Sequence, residues 1–219
     1  MGTWVEIDTP HGTIAAWKAF PAEAPRGALV VIQEIFGVNA HIRSVADGFA
    51  DEGYAVLAPA FFDVLERGVE LGYDAEGMAK GSDLITRLGL EKALDMTASA
   101  ADALAAQGKV GTVGYCWGGT VALLAALRLG LPSASYYGKR NVPFLGETPK
   151  APVIFHFGQR DASIPPEMVE KHRQLLPQMP VHAYPAGHGF NCDARADFDP
   201  QSAALARSRT LAFFDKHLR

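Results

Sequence analysis

Two stretches of the chain, GALVVIQ (27–33) and YAVLAPA (54–60), stay apolar almost without a break. A strand with one wet face alternates apolar and polar residues, so a strand that does not alternate must be covered on both faces. Covering both faces takes helices above and below the sheet. Ile42, Val45, Ala46, Phe49 and Ala50 recur at helical spacing behind Asn39, a residue type suited to cap a helix, and the pattern stops near Gly53. Residues 90–107 are Ala-rich and read as helix, Val110–Tyr115 reads as a strand leading into another helix, and SASYYG, APVIFHFG and PVHAYP read as three further strands. Helices are also predicted over Pro166–Leu176 and Gln201–Leu218. TWVEID and GTIAAWKAF flank Thr9-Pro10-His11-Gly12 and form a hairpin on this reading. Residues 61–90 mix glycine with charge and show no clear period. Alternating strands and helices imply crossover connections. The expected architecture is α/β: a mostly parallel central sheet with helices on both faces and an N-terminal antiparallel hairpin, in one domain over residues 1–219.

Composition permits such a core. Apolar residues make up 48% of the chain and charged residues 20%, which excludes a disordered chain. The net charge is −4 and the bases are scattered, so nucleic acid is not an expected partner: phosphate binding takes clustered Lys and Arg. The two cysteines, Cys116 and Cys192, are too few for a disulfide framework and point to a reducing cytoplasm. The opening MGTWVEIDTPHG lacks the basic-then-apolar pattern of a signal peptide, and Glu6 stands where myristoylation wants Ser or Thr. The longest apolar run, Val121 to Leu131, is too short for a bilayer and contains Arg128. A soluble, cytoplasmic chain without membrane contact is expected.

Gly114-Tyr115-Cys116-Trp117-Gly118-Gly119 sits between an apolar strand and a helical run. This is the layout in which a strand turns sharply into a helix and presents a nucleophile, with cysteine in the place of the usual serine. A buried structural cysteine is the alternative. A nucleophile here needs a base, the base needs an orienting acid, and in such sheets the acid precedes the histidine in the chain. Asp161 lies in FHFGQRDASIP and His188 in YPAGHGFNC, each in a loop just after a strand. Ligands sit beyond the carboxyl ends of parallel strands, so all three residues fall on one edge of the sheet. Glycines on either side leave the His188 ring free to reach the turn. Asp161 taken alone also suits a simple turn. His156, inside VIFHF, reads as a packed core residue, and His11, His41, His172, His182 and His217 read as surface residues.

VVIQEIFGVN ends another buried strand. The loop after such an early strand supplies one backbone donor of an oxyanion hole, and the residue after the nucleophile supplies the other. Ile35 and Trp117 are therefore the candidate N–H donors. Glu34 is costly at the mouth of a buried strand unless it is paired or functional, and a salt bridge at the sheet edge is its plainer explanation.

Together these residues resemble the dienelactone hydrolase family, the carboxymethylenebutenolidases. QEIFGVNAHIRSVADGFADEGYAVLAPAFF, GYCWGG, SYYG, HFGQRDASIP, AGHGFNCD and LARSRTLAFFDKHL follow the family's order over nearly the whole chain. The resemblance implies an α/β-hydrolase fold that opens a small unsaturated lactone or enol ester, of the dienelactone-to-maleylacetate type, with no cofactor and no metal. It makes Cys116 the nucleophile, His188 the base, Asp161 the orienting acid, and Glu34 an extra carboxylate. That carboxylate holds the resting thiol neutral and takes its proton when substrate displaces it. A thiolate attacks well but oxidises easily, so masking it until substrate arrives protects it. Family members hold the substrate carboxylate with two arginines. One of those positions, four residues past His188, is Cys192 here, and the other falls near EGMAKGSD, where Lys80 is the only base. Lys80 and Arg195 are the candidate cations for an anionic substrate, with Phe36 and Tyr137 as further substrate-binding residues. Two other readings stay open: a broad carboxylesterase using the same residues on neutral esters, and a redox or ligand sensor built on Cys116 with negligible turnover. The expected partner is a small lactone or ester, and the expected assembly a monomer or weak homodimer.

Overall fold

The computed structural model describes all of residues 1–219. It clusters into two compact units, residues 1–112 with 218–219, and residues 113–217. In the first unit, β1 (Thr3–Thr9) and β2 (Gly12–Ala19) form the expected antiparallel hairpin. The Thr9 hydroxyl closes its turn, accepting from His11 N at 3.1 Å and donating to Gly12 O at 2.6 Å.

Next come β3 (Ala28–Ile32), α1 (Ala40–Asp51) and β4 (Ala55–Pro59). β3 and β4 pair in parallel, and every residue of both is buried. Because successive strand residues point to opposite faces, both faces are covered. The buried stripe of α1 contains the five apolar residues picked out by their spacing, and Asn39 caps it by accepting from Ile42 N at 3.2 Å. The 61–90 segment, unreadable in sequence, holds a 3-10 turn at Phe61–Val64 and a helix, α2 (Ala75–Leu88). Asp74 caps α2, accepting from Gly77 N at 2.8 Å. One residue, Gly89, separates it from α3 (Leu90–Leu104), which packs with α1 on β3 and β4. The expected helix end at Gln107 is a 3-10 turn, Ala105–Gln107.

β5 (Val110–Tyr115) leads into the second unit, which holds α4 (Trp117–Leu124), β6 (Ser133–Tyr136), β7 (Val153–Gly158), α5 (Pro166–Leu175), β8 (Val181–Tyr184) and α6 (Pro200–His217). β6, β7 and β8 pair in parallel. Alternate residues of β7 meet different helices. Phe155 and Phe157 pack on His172 of α5, with ring centroids 4.8 and 4.7 Å away, while His156 Nε2 lies 3.0 Å from Thr210 Oγ1 of α6. One helix therefore lies on each face. The strand order across the sheet is β1-β2-β4-β3-β5-β6-β7-β8. No helix is long and apolar enough to cross a membrane.

Candidate active site

β5 ends at Tyr115 and α4 begins at Trp117, so Cys116 alone makes the turn. Its φ of 55° and ψ of −116° are a strained conformation for a residue with a side chain, costing on the order of 1–3 kcal/mol. Backbone bonds hold it there: Cys116 N donates to Tyr136 O at 3.0 Å, and Gly119 N to Cys116 O at 3.0 Å. Gly114 is required because a Cβ there would overlap the Gly118 carbonyl. The Trp117 N–H is the first of the four that an α-helix leaves without an intrahelical acceptor.

The thiol faces the histidine. His188 Nε2 lies 3.2 Å from Cys116 Sγ, and His188 Nδ1 lies 2.6 Å from Asp161 Oδ2. Residues 161 and 188 sit in the loops that follow β7 and β8, as expected from parallel strands. The other carboxylate oxygen, Oδ1, accepts from Ser163 N at 2.8 Å and from Ser163 Oγ at 2.7 Å. Sequence reasoning missed Ser163. Its only signal was a hydroxyl two residues past a loop aspartate, the spacing of a local Asx turn.

These contacts set the charges. Burial works against a charged His188, but its bonds to Asp161 and Cys116 outweigh burial, and the imidazole is pushed up to about 10. Burial likewise favours a neutral Asp161, and the bonds from His188 and Ser163 hold its carboxyl below the usual range instead. The imidazole thus keeps its proton at neutral pH and sets a cation against the sulfur.

The other expected residues fall as follows. Tyr137, fully buried at φ 39°, packs its ring 5.1 Å from that of His188 and 5.5 Å from that of Phe190. Arg195 lies against the backbone beside the histidine: a Cβ on Gly189 would sit 2.8 Å from its Cζ. The glycine after His188 therefore makes room for a guanidinium rather than for a free ring. Cys192 is wholly buried and both cysteines are free thiols. In the first unit, Glu34 is fully buried just past β3, Ile35 is 9% exposed, and Phe36 packs on Tyr73 at 4.6 Å. Lys80 is committed to an exposed ion pair with Glu66 at 2.6 Å.

Two histidines expected at the surface are buried, His41 and His172. His172 shares the inward face of α5 with Val169. Its Nδ1 donates to Met168 O at 2.7 Å, and its Nε2 accepts from Asn141 Nδ2 at 3.1 Å. A polar residue can enter a core when both its polar atoms are satisfied. His156 is a core residue as expected, with Nδ1 2.8 Å from Tyr184 Oη.

Comparison with known proteins gives a consistent set. The sequence model described as the dienelactone hydrolase family matches residues 14–218. A carboxymethylenebutenolidase of Pseudomonas putida is 34% identical, over 92% of this chain and 90% of its own. A provisionally named carboxymethylenebutenolidase of Synechocystis is also 34% identical, over 99% of this chain and 97% of its own. A crystal structure from Klebsiella pneumoniae, provisionally named a dienelactone hydrolase, superposes with a TM-score of 0.88 at 29% identity, covering 99% of each chain.

Proposed function

Because the chain belongs to the dienelactone hydrolase family, and is thereby a hydrolase of ester or lactone substrates, we propose that it opens small unsaturated lactones or enol esters with Cys116 as the attacking thiolate. The observation that carries this reading is the run of contacts from Cys116 Sγ to His188 Nε2 and from His188 Nδ1 to Asp161 Oδ2, at 3.2 and 2.6 Å.

The thiolate attacks the carbonyl carbon, and the carbonyl π pair moves onto oxygen. The Trp117 N–H, at the start of α4, stabilises that oxyanion. Collapse breaks the ring C–O bond, and His188 Nε2–H protonates the departing enolate oxygen. Water then attacks the thioester while the now neutral His188 takes its proton. Expulsion of the thiolate releases the acid and restores the starting pair. Asp161 keeps the imidazole oriented throughout and stabilises its charged form whenever it carries the proton. Glu34 is the accessory carboxylate that the family resemblance assigns to masking the thiol between turnovers. A sensor would need a thiol open to oxidants. At 7% exposure, with the His188 imidazole aligned on it, Cys116 is better suited to acyl transfer.

One observation favours the broad esterase as a second reading. Cys192 stands where the family resemblance expects an arginine, and Lys80 is engaged with Glu66. Arg195, beside His188, is the remaining candidate for a substrate carboxylate.

The test has two parts. Cys116→Ala should abolish turnover with the fold intact, and Cys116→Ser should also be poor, because a hydroxyl ionises far less readily than a thiol. An active Cys116→Ala protein would overturn the mechanism. Arg195→Met is then compared on an acid lactone and its methyl ester. A KM raised by about 10–100-fold for the acid alone, the worth of one hydrogen bond to a charged group, supports an anionic substrate. Equal effects on both substrates leave the neutral esterase.

A further inference from the structure

A second cavity lies at the opposite ends of the strands that carry Asp161 and His188. Those residues follow the carboxyl ends of β7 and β8, whereas this cavity is lined by Ile154 near the start of β7 and His182 near the start of β8. None of Cys116, Asp161 or His188 lines it. Its volume is about 390 Å³, within the range of small-ligand sites.

The local structure explains its two-part lining. Ile154 lies two residues before His156, and His182 pairs with His156 across the sheet at a ring separation of 5.8 Å. Ile154 and His182 therefore share the sheet face that α6 covers. On α6, Arg209, Phe213 and Lys216 are spaced by four and three residues and so stand on one face of the helix. Ile154 and the buried Phe213 give the cavity an apolar floor, and Arg209 and Lys216 give it a cationic rim, with His182 and His217 beside them. No carboxylate is among the lining residues. Arg209 lies over the neutral ring of Tyr184, 5.4 Å from its centroid, so its charge is not cancelled there. Burial, with Arg209 nearby, lowers the His182 pKa, and burial with Lys216 nearby lowers that of His217. At neutral pH both rings are uncharged, and each offers one N–H to an acceptor.

We propose that this cavity is a binding site for a small organic carboxylate, with its apolar body on Ile154 and Phe213 and its carboxylate held between Arg209 and Lys216. An apolar floor alone would take a neutral ligand, and a cationic rim alone would take any anion. The combination selects a molecule with both parts. The site does not depend on the mechanism at Cys116.

The experiment titrates the whole protein with benzoate and follows the imidazole ring signals of His182 and His217 by NMR. Benzyl alcohol serves as the uncharged analogue and inorganic phosphate as the anion without an apolar body. The His188 signal reports separately on any benzoate entering the thiol site. Saturable shifts of His182 and His217 with benzoate are expected, with both comparison ligands binding at least about tenfold more weakly. Lys216→Gln, at an exposed position, should weaken benzoate by about tenfold without affecting the fold. Arg209→Gln should do the same, and if the loss of its contact with Tyr184 unfolds that variant, Lys216→Gln keeps the test decisive. The proposal is overturned if benzoate shifts only His188, if benzyl alcohol or phosphate binds as well as benzoate, or if Lys216→Gln leaves the affinity unchanged.

Discussion

Ser163 decides which oxygen of Asp161 faces the histidine. Its N–H and hydroxyl both engage Oδ1, which leaves Oδ2 for His188 Nδ1. If His188 is the proton donor of the proposed mechanism, kcat/KM should fall on the alkaline side near its raised pKa of about 10, not near the 6.5 of a free imidazole. Ser163→Ala loosens the carboxylate and weakens its hold on the imidazolium. The alkaline limb should then move down by about one unit, the scale of one modest hydrogen bond, while Ser163→Thr should restore it. A limb that stays in place in Ser163→Ala would remove the positioning role. Cys116, Asp161 and His188 were legible in sequence because each sits in a loop after a recognisable strand. Ser163 was not, because it works through a neighbour two residues away, and its one signal, the spacing of a local turn, is common to many loop hydroxyls.

Elements differ in how openly they show themselves. α1 announced itself by five apolar residues on one stripe and a capping asparagine. α2 did not, and its glycines are the reason: a Cβ at Gly77 would strike the Gly72 carbonyl, and one at Gly81 the Ile35 carbonyl. Close backbone packing had removed the side chains that would have marked the period in its first turns and left the stripe to Leu84, Ile85 and Leu88 near its end. α5 hid its buried face differently, by placing a histidine where a hydrophobe was expected. His172 is lowered to about 4, chiefly by burial, against an ordinary 6.5. The unfolded chain therefore binds the extra proton first, and stability should fall as pH drops from 6.5 toward 4, by about 3 kcal/mol in all. His172→Gln should show a shallower loss over that window in urea melts. An unchanged acid slope would mean that His172 is not the group responsible.

For the whole molecule these titrations add. His188, raised, contributes stability in full below about 6.5 and loses it as pH climbs through about 10. Asp161, lowered, contributes above the ordinary 3.8 and loses its share as pH falls through its depressed value. With His172 added, the melting temperature should be highest in the neutral range and fall on both sides. Because Cys116 and Cys192 are both free, melting curves with and without reductant should coincide, and an intact mass two hydrogens short would contradict this. Substitutions should be tolerated unevenly along the chain, and Gly114, in β5 just before Cys116, is among its least forgiving points. Every missense change open to a glycine codon introduces a Cβ, and at Gly114 any Cβ meets the fixed backbone of Gly118. No missense change at that codon can be mild. In a library of single variants selected for hydrolysis, Gly114 should return only silent changes, and a functional Gly114→Ala clone would show that the turn can open.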